Sequence, residues 1–331
     1  MTWFIAAAVL LLALGFTAFV LVASRPPPAS EPADIFNMAA HRPAGPAPVL
    51  PDLERYVARD GEHLAFRIYE STADQVLIFV HGSSYHGGGY HGLAQALSQA
   101  GAAKVVLPNL RGHYMSGRRR GDVEYVGQLE DDLADLVGAL RKRGLTGPLV
   151  LGGHSSGGGL VIRFAGGPRA ALAERFLLVA PAVPTSRAMR GGDGGGWARL
   201  HWKRLFGLVA LNAVGVSGLD ALPILELNKP AALWDGTETL AYSYRMNLSL
   251  HPRANWSKDL RALGAGSLVM IGDRDEAIDA QALKALFDQH VPGTAFRTLP
   301  GVDHLGIFME PAAITEIVAW LRAGDGRKGM A

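Results

Sequence analysis

Two apolar patterns divide the chain. From Trp3 to Ala23 the residues are almost continuously apolar, and no charged side chain precedes Arg25. At 1.5 Å per residue such a run is long enough to cross a hydrocarbon core of about 30 Å, so residues 1–24 are expected to form an uncleaved transmembrane anchor. A cleaved signal peptide is the rival, but its apolar region is usually shorter and follows a positive segment. From Ser24 to Pro51 the periodicity stops and prolines crowd in, a composition expected of a semi-extended linker over residues 25–51. Beyond Asp52 the pattern changes again. Glu54–Arg59 and His63–Tyr69, separated by Asp60-Gly61, predict a hairpin. Gln75–Val80 (QVLIFV) is apolar without alternation, as in a strand covered on both faces. Lys104–Pro108, Leu149–Leu151, Phe176–Val179, Ser267–Ile271 and Thr294–Leu299 read as further strands. Helical spacing recurs over Tyr90–Ala100, Leu129–Arg143, Gln281–His290 and Pro311–Arg322.

Alternation of this kind predicts an α/β fold with a mostly parallel central sheet and helices on both faces. The alternation breaks between about Pro184 and Leu263, so residues 52–324 are expected to form one domain with a helical insertion, a cap over it, at about 184–263. Residues 325–331 are expected as a flexible tail. Within the insertion, Trp197–Leu211 places Ala198, Trp202, Leu205, Phe206 and Val209 on one helical stripe beside Arg199, Lys203 and Arg204. That pattern fits either a cap helix buried over a site or a helix lying in a headgroup layer.

Composition then removes whole classes of function. The 32 basic and 30 acidic residues leave a net charge of +2, which gives no basic surface for nucleic acid. The chain has no cysteine, which excludes thiol nucleophiles, thiolate metal sites and disulfides. His81, His86 and His91 lack a carboxylate partner and an H-E-x-x-H pattern, so no metal is expected. The glycines near Ser155 lack the Lys-Ser or Lys-Thr of a phosphate-binding loop, and no cofactor is expected.

Chemistry gathers at predicted strand ends. Gly153-His154-Ser155-Ser156-Gly157 follows one strand and opens a helix, the setting of a G-x-S-x-G nucleophile elbow. A serine hydroxyl needs a base, and the base an orienting acid. Asp273 and Asp275 follow the strand Ser267–Ile271, and His304 follows Thr294–Leu299, giving the chain order Ser, Asp, His. The N–H of Ser156 is one oxyanion donor on this logic, with a second from the loop after the strand Gln75–Val80.

With these residues the chain resembles the α/β-hydrolase superfamily, and within it the monoacylglycerol lipase, lysophospholipase and serine-aminopeptidase-like branch. The resemblance runs from about Glu54 to Arg322. It rests on His81-Gly82, Leu110-Arg111-Gly112-His113 with Ser116, the elbow Gly152–Gly158, Gly272-x-x-Asp275 and His304. It implies Ser155, Asp275 and His304 as catalytic residues, with Asp275 preferred to Asp273 as the fourth residue of its loop. It implies Ser83, after His-Gly, as the other oxyanion donor, and His81, Gly82, Gly153, His154 and Gly157 as support. Two positions depart from the usual pattern, Asn109 where Asp is common and Tyr114 where Gly is common; Ser156 stands where Met or Gln is frequent. The expected function is a membrane-anchored serine hydrolase cleaving carboxylic esters, with a small-molecule or lipid ester such as a monoacylglycerol or lysophospholipid as substrate. The membrane expected is a bacterial plasma membrane; which side carries the catalytic domain and the oligomeric state stay open. Amide or peptide hydrolysis, acyl transfer, and a membrane-tethered binding module without activity are the alternatives.

Overall fold

The computed structural model describes residue 4 and residues 15–25, 33–42, 45–46, 48–192 and 196–325. Eight strands form the main sheet: β1 (Glu54–Val57), β2 (His63–Tyr69), β3 (Val76–Val80), β4 (Lys104–Pro108), β5 (Leu149–His154), β6 (Arg175–Val179), β10 (Leu268–Gly272) and β11 (Ala295–Leu299). Their order is β1-β2-β4-β3-β5-β6-β10-β11. The β1–β2 hairpin and the β2–β4 pair are antiparallel, and every other neighbouring pair is parallel. The central strand β3 is buried at every residue, as its unbroken apolar run requires.

Helices α1 (His91–Gln99), α2 (Gln128–Lys142), α3 (Ser156–Ala165), α7 (Ala280–His290) and α8 (Pro311–Asp325) follow successive strands. Acids open α2 and bases close it, in the sense favoured by the helix dipole. Between β6 and β10 lie a three-stranded antiparallel sheet, β7 (Ala198–Leu200), β8 (Pro223–Leu227) and β9 (Ala241–Ser243), and helices α4 (Trp202–Ala213), α5 (Tyr244–Leu250) and α6 (Trp256–Arg261). Thus the expected helical insertion contains a small sheet as well. Its short strands pair only with one another, a non-local feature that hydropathy periodicity does not report.

Three expectations are corrected. Ala198 belongs to β7 and not to a helix, because Ala198–Leu200 pairs with Leu225–Leu227 of β8. The predicted stripe is not buried over a site: Trp202 and Phe206 are 50% and 58% exposed, while α4 packs inward through Gly207 and Leu208. The basic flank is largely occupied, with Arg199 paired to Glu226 and Arg204 donating to the carbonyls of Val22 and Pro223.

The third correction concerns the linker. Residues 34–42 do not extend past the domain but fold into turns against it, burying Phe36 and Met38. Asp34 holds these turns by accepting the backbone N–H groups of Met38 and Ala39, at 2.7 and 2.9 Å. Proline content reports local stiffness and is silent on a lone aromatic that finds a pocket. Residues 1–3 and 5–14 of the expected anchor and 326–331 of the tail lie outside the described residues. Among the described residues no helix is long and apolar enough to cross a membrane. Residues 15–22 are helical, and Val22 is buried with Leu208, Ile224 and Tyr244 of the insertion.

The loop after β4 is pinned from beneath by a buried ion pair. Arg111 donates from Nε and Nη2 to both carboxylate oxygens of Asp132 on α2, at 2.8 and 2.7 Å. Arg111 also pairs with Asp60, from Nη1 at 2.9 Å, so its charge keeps a partner when Asp132 is removed. Asp132→Ala is therefore expected to cost about 2 kcal/mol, the scale of lost charge-assisted hydrogen bonds, read as a lower urea midpoint in equilibrium unfolding.

Candidate active site

Ser155 sits between β5 and α3 with φ 55° and ψ −123°, a conformation that costs a non-glycine residue about 1–3 kcal/mol. The turn closes because its neighbours have no Cβ. One added at Gly157 would lie 2.5 Å from the carbonyl oxygens of both Val80 and His81, and one at Gly153 2.5 Å from that of Gly157. The strained turn lifts the Ser155 hydroxyl clear of the backbone and leaves the N–H of Ser156 at the first position of α3, where helices have no internal acceptor.

His304 meets this hydroxyl. Its Nε2 lies 3.0 Å from Ser155 Oγ, and its Nδ1 lies 2.6 Å from Asp275 Oδ2. Asp275 is itself held by the N–H groups of Ala277 and Ile278, both bonding to Oδ1 at 2.9 and 2.7 Å. Asp273 does not reach the imidazole. It is exposed and accepts the Gly301 N–H at 2.6 Å, which shapes the loop ahead of His304. The geometry thus separates the two acids that the sequence left adjacent.

Burial disfavours the charged form of His304, but the charge and hydrogen bond of Asp275 outweigh it and raise its pKa above 6.5. Glu276 adds to this, and its Oε2 also accepts the His304 backbone N–H at 3.0 Å. Sequence reasoning missed Glu276, since an acid beside the chosen one carries no distinguishing spacing.

The loop carrying Ser83 is clamped from two sides. On one, the Gly82 N–H donates to the Tyr90 hydroxyl at 3.0 Å, and Tyr90 donates to His154 Nδ1 at 2.9 Å. His154 then donates from Nε2 to the His304 carbonyl at 3.0 Å. On the other, the Ser84 N–H donates to the Tyr242 hydroxyl at 2.8 Å, and Tyr242 donates to His113 Nε2 at 2.9 Å. Ser83 Oγ donates to Ser156 Oγ at 2.8 Å, bringing the two expected oxyanion residues side by side.

His81 accepts the Leu110 N–H at Nε2, 3.0 Å away, and donates from Nδ1 to the Gly82 carbonyl at 2.9 Å. It therefore orders the loop and faces no reacting group. Burial holds His81 and His154 well below 6.5 and pushes His113 down to about 4. All three are neutral acceptors and donors near neutral pH, as their hydrogen bonds require.

The departure at Asn109 has a structural reason. Its Oδ1 accepts the Gly87 N–H at 2.8 Å and its Nδ2 donates to the Tyr114 carbonyl at 2.7 Å. An ionised Asp would supply the first bond and not the second.

A strained serine after a parallel strand, a histidine and an aspartate from two later strand ends, and a donor loop after β3 define an α/β-hydrolase site. The model of the alpha/beta hydrolase family matches residues 77–317, and the chain belongs to that family. A monoacylglycerol lipase of Mycolicibacterium smegmatis is 26% identical over 277 residues, covering 79% of this chain and 93% of that protein. A soluble variant of the monoglyceride lipase from Saccharomyces cerevisiae superposes with a TM-score of 0.64 at 15% identity, over 85% of this chain and 98% of the other. A membrane phospholipase A, described as a bacterial virulence factor, matches 98% of this chain and 100% of its own at 18% identity and TM-score 0.58.

A pH response follows from Glu276. A general base works as the neutral imidazole, so kcat/KM is expected to fall as pH drops through a His304 pKa above 6.5. Glu276→Gln removes a charge that favours the imidazolium. Its acid limb in a kcat/KM–pH profile is expected at lower pH than that of the wild type, with the high-pH plateau largely kept.

Proposed function

We propose that this protein is a serine hydrolase of carboxylic esters, with lipid-like esters such as monoacylglycerols or lysophospholipids as its substrates. The observation that carries the reading is the unbroken hydrogen-bonded line from Ser155 Oγ through His304 to Asp275. In this reading Ser155 Oγ attacks the acyl carbon while His304 Nε2 takes its proton, and Asp275 holds the imidazole in the Nδ1–H tautomer. The carbonyl oxygen becomes an oxyanion that receives the N–H groups of Ser83 and Ser156, each donor worth about 3–4 kcal/mol in a dry site. Collapse expels the alcohol with the proton from His304. Water, deprotonated by the same histidine, then attacks the acyl-enzyme and releases the acid.

The substrate class is supported by three things. Tyr85, Trp197 and Leu305 border Ser155, apolar surfaces that suit an acyl chain better than a polar group. The family resemblance points to lipid-like esters, and the M. smegmatis relative carries the name monoacylglycerol lipase. The apolar run Trp3–Ala23 would keep the domain beside a bilayer, and Trp202, Phe206 and Val209 of α4 lie exposed close to where that segment packs.

The test of the chemistry is Ser155→Ala, which keeps a Cβ and so leaves the elbow's packing intact. Turnover of a medium-chain glycerol ester is expected to drop about a thousandfold or more with an unchanged melting temperature. A serine-directed fluorophosphonate is expected to label the wild type and not this variant. Labelling without ester turnover would favour an amide substrate or an acyl acceptor other than water, and no labelling of either form would favour a binding module.

The bilayer contact has its own test. Replacing Trp202 and Phe206 together with Ser is expected to weaken binding to lipid vesicles at least about fivefold, because exposed tryptophan and apolar residues supply interfacial affinity. Hydrolysis of a water-soluble ester by the same variant is expected to match the wild type.

A further inference from the structure

The residues expected to form a linker close the site they precede. The Phe36 ring stacks on the imidazole of His304 with centroids 4.7 Å apart and planes at 23°. It also meets the Trp197 ring, 5.1 Å between centroids. Phe36 is 4% exposed although it belongs to none of the sheet's strands or helices. Five residues further on, His41 Nε2 lies 2.9 Å from both carboxylate oxygens of Asp303, the neighbour of His304. This ring rests against Gly306, so the clasp grips the histidine loop on its outer side.

Two spaces flank this segment. The one at Ser155 measures about 20 Å³ and is lined by Phe36, Ser83, Tyr85, Ser155, Trp197 and His304. That is room for about one water molecule and no ester. The other measures about 660 Å³, within the range of ligand sites, and is lined in part by Met38, His41, Leu50, Tyr85 and Phe308. Tyr85 borders both, and so does the segment itself, with Phe36 on one side and Met38 and His41 on the other. A nucleophile with an assembled base and no room for substrate requires something to move, and the turn holding Phe36 meets the site through ring packing and joins the histidine loop through His41 and Asp303.

We propose that residues 34–42 are an intrachain plug, in which Phe36 occupies the subsite for the apolar part of the ester and the His41–Asp303 clasp holds it there. Release of the clasp joins the small space at Ser155 to the larger cavity, and together they form the substrate channel. The acyl chain then takes the place of the Phe36 ring between Trp197 and His304, so the plug selects substrates apolar and long enough to displace it. This inference rests on the hydrolase reading of the same site.

The experiment compares the full-length wild type, Phe36→Ala, His41→Ala and Ser155→Ala in detergent micelles. It follows the second-order rate of fluorophosphonate labelling and the turnover of p-nitrophenyl acetate and octanoate. Phe36→Ala is expected to label at least about fivefold faster and to show a lower KM with little change in kcat. Its gain should be larger for acetate, which displaces the ring poorly, than for octanoate. His41→Ala, whose ring is only partly buried, should shift in the same direction by a smaller factor, and it carries the test if Phe36→Ala does not fold. Folded variants that label at or below the wild-type rate would overturn the plug while leaving the hydrolase reading intact. Labelling of Ser155→Ala at the wild-type rate would overturn the hydrolase reading instead.

Discussion

One imidazole, that of His154, ties together loops that are distant in sequence. Through Tyr90 it reaches the Gly82 N–H, and through its own Nε2 it reaches the backbone of His304. Ser155 is its covalent neighbour. The donor loop after β3, the elbow after β5 and the histidine loop after β11 are thus referenced to a single rigid ring. Deep burial makes the arrangement demanding, because a protonated His154 could no longer accept from Tyr90. The same burial keeps it neutral, so the requirement and its guarantee have one cause.

Buried polar chemistry of this kind is what the rest of the catalytic end is built from. His81 and His113 repeat the pattern, each using one nitrogen to donate and the other to accept. Asn109 does the same with its amide. None of these groups is charged, which suits positions where an unpaired charge would be far more expensive than a satisfied dipole. Charge sits at Asp275 and Glu276, where it raises the proton affinity of His304, and in outlying pairs such as Arg111–Asp132.

Local pattern makes the sheet and its order of helices legible, since β3 and β10 are short, apolar and buried at every position, and β5 opens on the apolar run Leu149–Leu151. The elbow was legible because small residues at Gly153 and Gly157 answer a steric demand that shows in the sequence itself. The preference for Asp275 over Asp273 rests on resemblance, since spacing cannot carry which of the two lies against the imidazole; Asp275 does and Asp273 does not. Tyr90, Tyr242 and Glu276 were invisible, because each acts across a long sequence separation on a group with no motif of its own. Phe36 was hidden by its company, a single aromatic in a proline-rich stretch whose composition reads as solvated spacer. The stripe on α4 was seen correctly as apolar, but helical periodicity does not tell which side of a two-faced helix meets protein.

Tyr242 gives the insertion a stake in the catalytic half. It lies in β9, the edge of the small sheet, yet its hydroxyl receives the Ser84 N–H and donates to His113. In families of this architecture the insertion is the part most readily imagined as exchangeable, a module to be swapped when a new pocket is wanted. Here a graft would have to return a phenol to the same point in space, or leave a buried amide and a buried imidazole without partners. Recombination between relatives is therefore constrained at a residue outside the lining of the space at Ser155, and shuffled libraries built on this scaffold should be cut so that β9 travels with the half that holds Ser84.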